Sequence, residues 1–152
     1  MIRSLACSLL FLFMLPGSSS AQPTAPNSGP IQGTLGQPLQ VGPWQVLVQR
    51  AYASQWEETP TLDVLVSLRN ISATPEQLPD TMLFNCYRSD VWQGLPYLGS
   101  DPPPPSVVDS NLTIKGTLRY QLPPDVLSFG LVFFWQAPGG GATGIWSLQL
   151  HT

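Results

Sequence analysis

The residues able to do chemistry are few and poorly grouped for it. The sequence holds one histidine, His151, in the penultimate position. A nucleophilic serine or cysteine needs an imidazole fixed against it, and this place near a chain end is ill suited to fixing one. Glu57 and Glu58 are adjacent carboxylates, but they and the scattered aspartates do not follow calcium-loop spacing. They read as solvated surface. No glycine-rich loop follows a strand and opens a helix to cradle phosphate; Gly139-Gly140-Gly141 reads instead as a hairpin connection between two strands. A carboxylate pair assembled by the fold, as in glycosidases, is the remaining hydrolytic option, and no spacing selects one. The sequence therefore predicts no catalytic residue, no metal site and no cofactor.

Binding is better represented than catalysis. The connection 89–110 is long, and it carries Trp92, Tyr97 and a proline run at 102–105. Long connections in small domains are often functional, and aromatic side chains are common anchors for a partner. Trp92 and Tyr97 either present themselves this way or fold back over one end of the domain. Trp56, beside Glu57-Glu58, is a third aromatic candidate, with packing at a sheet edge as its alternative. In 128–135 (SFGLVFFW) Val132 and Phe134 lie opposite Phe129, Leu131, Phe133 and Trp135. That strand is apolar on both faces. The face bearing Val132 and Phe134 is either an open patch suited to association or is covered by a loop or the N-terminal leader.

These residues need elements to hold them, and the pattern throughout is of period two. Trp44, Val46 and Val48 alternate with polar neighbours; so do Leu62, Val64, Val66 and Leu68, and again Leu112, Ile114, Leu118, Tyr120 and Leu122. Such alternation marks strands with one buried and one wet face. With 35–41, 81–88, 128–135 and a closing strand through Trp146, Leu148 and Leu150, seven strands are expected. A brief helical turn fits 75–80. Sustained helical periodicity is absent, while 17 prolines and 13 glycines punctuate the chain. The expectation is an all-β, antiparallel sandwich.

The first 21 residues read as a secretory signal. Arg3 supplies a positive charge, 5–15 form an apolar run, Pro16-Gly17 break it, and Ser19 and Ala21 occupy the small-residue positions before Gln22. The run is shorter than the roughly 20 residues that a membrane span needs, and Cys7 lies inside it rather than after it, unlike a lipoprotein cysteine. Cleavage after Ala21 leaves a leader, 22–33, and a domain over 34–152, secreted or periplasmic. Five basic residues then face nine acidic ones, a balance that argues against a nucleic-acid partner. Cys86 is left without an intrachain partner. It shares a face with Met82 and Phe84 and reads as a buried apolar residue, the alternative being a bridge between chains.

Three segments in order carry a family resemblance: Leu35-Gly36-Gln37-Pro38-Leu39 with the Val41-Gly42 turn, the valine-rich 62–70 ending in Asn70, and 114–123 with Gly116 and Pro123. In these the chain resembles a family of bacterial extracellular immunoglobulin-like domains of unknown function, which includes mycobacterial secreted immunogenic proteins. The turn at 89–94 and the prolines at 102–105 depart from the family pattern. The resemblance implies an immunoglobulin-like sandwich of about seven strands and supplies no catalytic residues. If the source is bacterial, the acceptor patterns at Asn70-Ile71-Ser72 and Asn111-Leu112-Thr113 are only polar turn residues. The expected function is a non-catalytic binding or accessory domain of the cell envelope, its partner a protein or envelope polymer. A homodimer through the face bearing Val132 and Phe134 is the alternative, and a hydrolase is a third.

Overall fold

The computed structural model describes residues 29–78, 84–137 and 140–150. The expected signal segment, residues 22–28 of the expected leader, the start of the expected 81–88 strand and His151 lie outside the described residues.

Among the described residues there are strands and no helix. All seven expected strands are present: β2 (Pro38–Val41), β3 (Trp44–Trp56), β4 (Thr59–Asn70), β6 (Phe84–Arg88), β9 (Thr113–Gln121), β10 (Ser128–Ala137) and β11 (Gly140–Gln149). Four short ones join them: β1 (Ile31–Gly33), β5 (Glu76–Gln77), β7 (Tyr97–Asp101) and β8 (Val107–Val108). One sheet has the order β1-β11-β10-β6, the other β2-β3-β4-β9-β7, and β5 pairs with β8 apart from both. The run β3-β4-β9-β7 facing β11-β10-β6 is the strand order of an immunoglobulin constant-type sandwich.

The alternating apolar residues meet between the sheets. Trp44, Val46, Val48, Leu62, Val64 and Tyr120 from one sheet are fully buried with Phe129, Leu131, Phe133, Trp146 and Leu148 from the other. Phe84 and Phe133 pack with ring centroids 4.9 Å apart. The Tyr120 hydroxyl donates to the Phe84 carbonyl at 3.1 Å, so this large polar side chain is satisfied inside the core.

Three sequence expectations change. First, 31–33 belongs to the sheet rather than the leader, because β1 pairs in parallel with β11. Gly33 permits this: a Cβ there would stand 2.0 Å from the Trp146 Nε1. Second, the helical turn expected at 75–80 is replaced through Gln77 by β5. Leu78 N–H donates to Ser106 C=O at 2.9 Å, and the buried Asn70 side chain organises the chain around it. Third, 89–110 is not one loop. It contains β7, which pairs with β9 through a bulge at Leu98, and β8. The alternation was hidden there by that bulge and by the adjacent prolines.

One irregularity decides which side chains face outward. In β3 the even residues Trp44, Val46 and Val48 point into the core, and continued alternation would send Arg50 and Tyr52 after them. A bulge between Val48 and Arg50 leaves Gln49 without a partner, so Arg50 stands opposite Leu65 and Tyr52 opposite Asp63 on the outer face. A single inserted residue of this kind reverses the facing of everything beyond it. The β3–β4 hairpin closes on Glu57 and Glu58, with φ of 47° and 68°, the left-handed pair of a type I′ turn.

Candidate functional site

The outer face of the four-stranded sheet is built by the residues between the buried ones. Along β10 these are Ser128, Gly130, Val132, Phe134 and Gln136. The register sets Tyr87 and Ser147 beside Gly130, Asn85 and Ile145 beside Val132, and Thr143 beside Phe134. Neither these nor Gln32 of β1 is charged. From Gly130 to Phe134 the face runs about 13 Å along the strand, and about 10 Å across from β6 to β11.

Trp92 arrives on this face from the segment that follows β6. That segment folds back along the strand edge: Trp92 N–H donates to Arg88 C=O, Arg88 N–H to Gln93 C=O, and Leu95 N–H to Cys86 C=O, at 2.8–2.9 Å. Leu95 is buried and anchors the return. Arg88 and Asp90 pair through Nε–Oδ1 at 3.1 Å and Nη2–Oδ2 at 2.7 Å. Each holds the other charged, raising the arginine pKa and lowering that of the aspartate. The two charges of this segment therefore neutralise one another. Trp92 itself has φ of 51°, the cost of turning its indole toward Gly130. The ring lies 6.2 Å from that of Tyr87, centroid to centroid, at 50°. It also sits 3.9 Å from where a Gly130 side chain would begin, so the glycine leaves room for it.

Trp92 is 64% exposed and Phe134 46% exposed. Val132, Ile145 and Tyr87 are half-buried between them. The structure thus brings together Trp92, Val132 and Phe134, which the sequence offered as two separate features. It does not bring Tyr97 or Trp56 to them. Tyr97 is half-buried on the inner side of β7, packed on Tyr120 with centroids 5.5 Å apart. Trp56 ends β3 at the hairpin tip of the other sheet, 37% exposed. Tyr87 and Ile145 were overlooked, although both alternate with residues read as buried, Cys86 and Trp146.

Other chemistry-bearing residues are placed differently. Cys86 is 1% exposed and its thiol is pushed up to about 12, chiefly by burial. It is a core residue and not a nucleophile. Asp63 and Asp101 flank β9 on the outer face of the five-stranded sheet, and Arg119 reaches both, at 3.4 and 3.6 Å. Among the described residues no three His, Cys, Asp or Glu side chains gather to hold a metal ion, and no helix is long and apolar enough to cross a membrane. Asn70, the first residue of an acceptor pattern, is fully buried. Its amide donates to Thr74 and Val108 carbonyls, and its oxygen accepts from the Ser72 N–H and hydroxyl. It is a structural hub, more than the polar turn residue its pattern implied.

The chain is an all-β sandwich, and its likeness to a solved structure is of fold alone. An uncharacterized β-sandwich protein from Clostridium difficile 630 superposes with a TM-score of 0.57 at 8% identity, covering 84% of this chain and 100% of that one. No protein-family model and no curated protein matches the chain.

Proposed function

We propose that this chain is an exported, non-catalytic binding or accessory domain of the cell envelope, secreted or periplasmic, that takes a protein partner on the outer face of its four-stranded sheet. The observation that carries the reading is the convergence of Trp92 with Val132 and Phe134 on a face without charges among the described residues. A tryptophan 64% exposed beside a phenylalanine 46% exposed is costly to leave in water. It is also the type of anchor on which binding energy concentrates. Export rests on the signal-like first 21 residues. Assignment to the bacterial extracellular immunoglobulin-like family rests on the three motifs, and the strand order of the two sheets is in keeping with it.

The test uses residues 22–152 as bait in envelope extract, alongside Trp92→Ala, Phe134→Asp and Trp56→Ala. The reading expects one partner to be recovered by the parent and by Trp56→Ala and lost by the other two variants. Titration of that partner should show an affinity at least about tenfold weaker for Trp92→Ala, the usual scale for an interface anchor. Equal recovery by all four proteins retires this face. Light scattering on the isolated protein separates the alternative of self-association, in which the parent is a dimer and Phe134→Asp a monomer.

A further inference from the structure

Beyond residue 21 the chain is acidic overall, yet its few cations are not scattered. Of the five basic side chains there, Arg50, Arg69, Lys115 and Arg119 stand on one surface, the outer face of the five-stranded sheet. The register fixes them: Arg69 lies opposite Gln45 and Thr113, Lys115 opposite Ser67, Arg119 opposite Asp63, and Arg50 opposite Leu65. Their strand neighbours Val64, Val66, Leu68 and Leu118 point into the core. Arg50 reaches this face only because of the bulge that precedes it.

Two carboxylates share the surface, Asp63 and Asp101, and both are directed to Arg119. The remaining three cations make no ion pair among the described residues. Arg50, Arg69 and Lys115 are exposed, and Arg50 is steadied over the Tyr52 ring, 5.2 Å from its centroid. Most of the other side chains on the face are small or uncharged: Gln45, Ser54, Ser67, Thr113, Thr117. From strand spacing and rise, the three free cations form a triangle with sides of about 8, 12 and 14 Å between backbones.

We propose that this face binds a linear polyanion, a polymer bearing phosphate or sulfate groups, laid across β3, β4 and β9. Charge complementarity requires an anion, since the face is positive in a negative molecule. The spacing favours a polymer, because the three cations rise from three different strands and meet successive charges better than one small ion. A lipid surface fits less well. Among the described residues Trp56 is the one large apolar side chain exposed at this face, and laying the sheet on anionic headgroups would press Glu57 and Glu58, at the same hairpin tip, against them.

The test is titration of residues 22–152 with heparin and with long-chain polyphosphate across a salt series. Three cations releasing about 0.7 counterion each predict that log K falls against log salt with a slope of about −2, or about 16-fold between 50 and 200 mM. Arg69→Gln with Lys115→Gln together should shallow the slope to about −0.7 and weaken binding at least tenfold, with the urea midpoint unchanged. Arg88→Gln and Trp92→Ala should bind as the parent does, which keeps this result separate from the fate of the apolar face. The proposal is overturned if neither polymer binds at 50 mM salt or if the double variant binds like the parent. It is also overturned if phosphatidylglycerol vesicles or poly-glutamate bind at least as tightly as the two polymers.

Discussion

Asn70 offers the sharpest quantitative prediction. It ends β4, and its side chain joins that strand to the 71–74 turn and to β8. The amide donates to Val108 C=O at 3.0 Å and Thr74 C=O at 2.8 Å, while its oxygen accepts from Ser72 N–H at 2.9 Å and the Ser72 hydroxyl at 2.8 Å. Backbone bonds from Asn70 N–H to Leu112 C=O and from Asn111 N–H to Asn70 C=O do not involve the side chain. Asn70→Ala deprives the Val108 carbonyl of a donor at a buried position, which costs about 1–3 kcal/mol, and breaks three partly hydrated bonds worth about 0.5–1.5 kcal/mol each before water recovers part of them. A net loss of about 3 kcal/mol follows. At a urea m of about 1.5 kcal/mol per molar, the midpoint falls by about 2 M. Asn70→Asp tests the direction of the bonds. It keeps both acceptor bonds but sets a carboxylate against two carbonyl oxygens, so near neutral pH it should be less stable than Asn70→Ala. Its folded-state pKa must then lie above the ordinary value of about 3.9. The deficit therefore shrinks as pH falls through the folded-state pKa, leaving the smallest gap to the parent below about pH 4. Equilibrium urea unfolding at pH 7 and pH 4 reads both effects. The reasoning fails if Asn70→Ala stays within about 0.5 kcal/mol of the parent, or if Asn70→Asp is the more stable variant at pH 7.

Two further outcomes follow from close packing and burial. Gly33→Ala places a Cβ 2.0 Å from the Nε1 of the fully buried Trp146, so β1 must lift away or the core must repack. The expected loss is about 1–3 kcal/mol in urea unfolding, and a neutral result would mean that β1 does not dock on β11. Cys86, with its thiol pushed up to about 12 from 9.0, should resist a thiol reagent at pH 8 until the protein unfolds. Because the folded-state value is the raised one, stability is intact below pH 9 and is lost as pH rises from 9 toward 12, by about 1.4 kcal/mol per pH unit for this group. Cys86→Ala should flatten that decline while leaving the Tyr120 contribution, which has the same sign; an unchanged slope would refute the assignment.

The fold was largely legible because burial imposes period two on each strand. Trp44, Val46 and Val48, or Leu62 through Leu68, declare their inner face without outside information. Failures fell where local chemistry interrupts the period. The bulges at Gln49 and Leu98, the prolines after Asp101 and the short β1, β5 and β8 carry too few residues to show a pattern. The candidate site was legible in pieces only. Val132 and Phe134 stood out because their strand is apolar on both faces, and Trp92 because it sat outside the alternation. That Trp92 lies over Gly130 depends on backbone bonds folding 89–95 along β6, which pairwise residue spacing does not encode. Tyr97 takes the folded-back alternative, packed on Tyr120, and the bulge at Leu98 hides the alternation that would have marked its strand.

Net charge and the placement of charge are different quantities in this chain. Five cations against nine anions beyond residue 21 argue, averaged, against a nucleic-acid partner. The average is the wrong quantity for a sandwich, because each strand assigns alternate residues to the core and to one outer surface. Cations at Arg69, Lys115 and Arg119 fall between inward apolar residues on adjacent strands, so pairing gathers them, and the β3 bulge adds Arg50. The same rule empties the opposite surface of charge and leaves Tyr87, Val132, Phe134 and Ile145 there. A core about 10 Å thick separates the two sheets, and no side chain named at one surface belongs to the other. Substitutions on the two faces should therefore act independently, within the few tenths of a kcal/mol typical of distant sites. Combining Trp92→Ala with Arg69→Gln and Lys115→Gln should reproduce each binding loss unchanged. A coupling beyond that margin would show that a single ligand spans both surfaces, or that one face reshapes the other through the core.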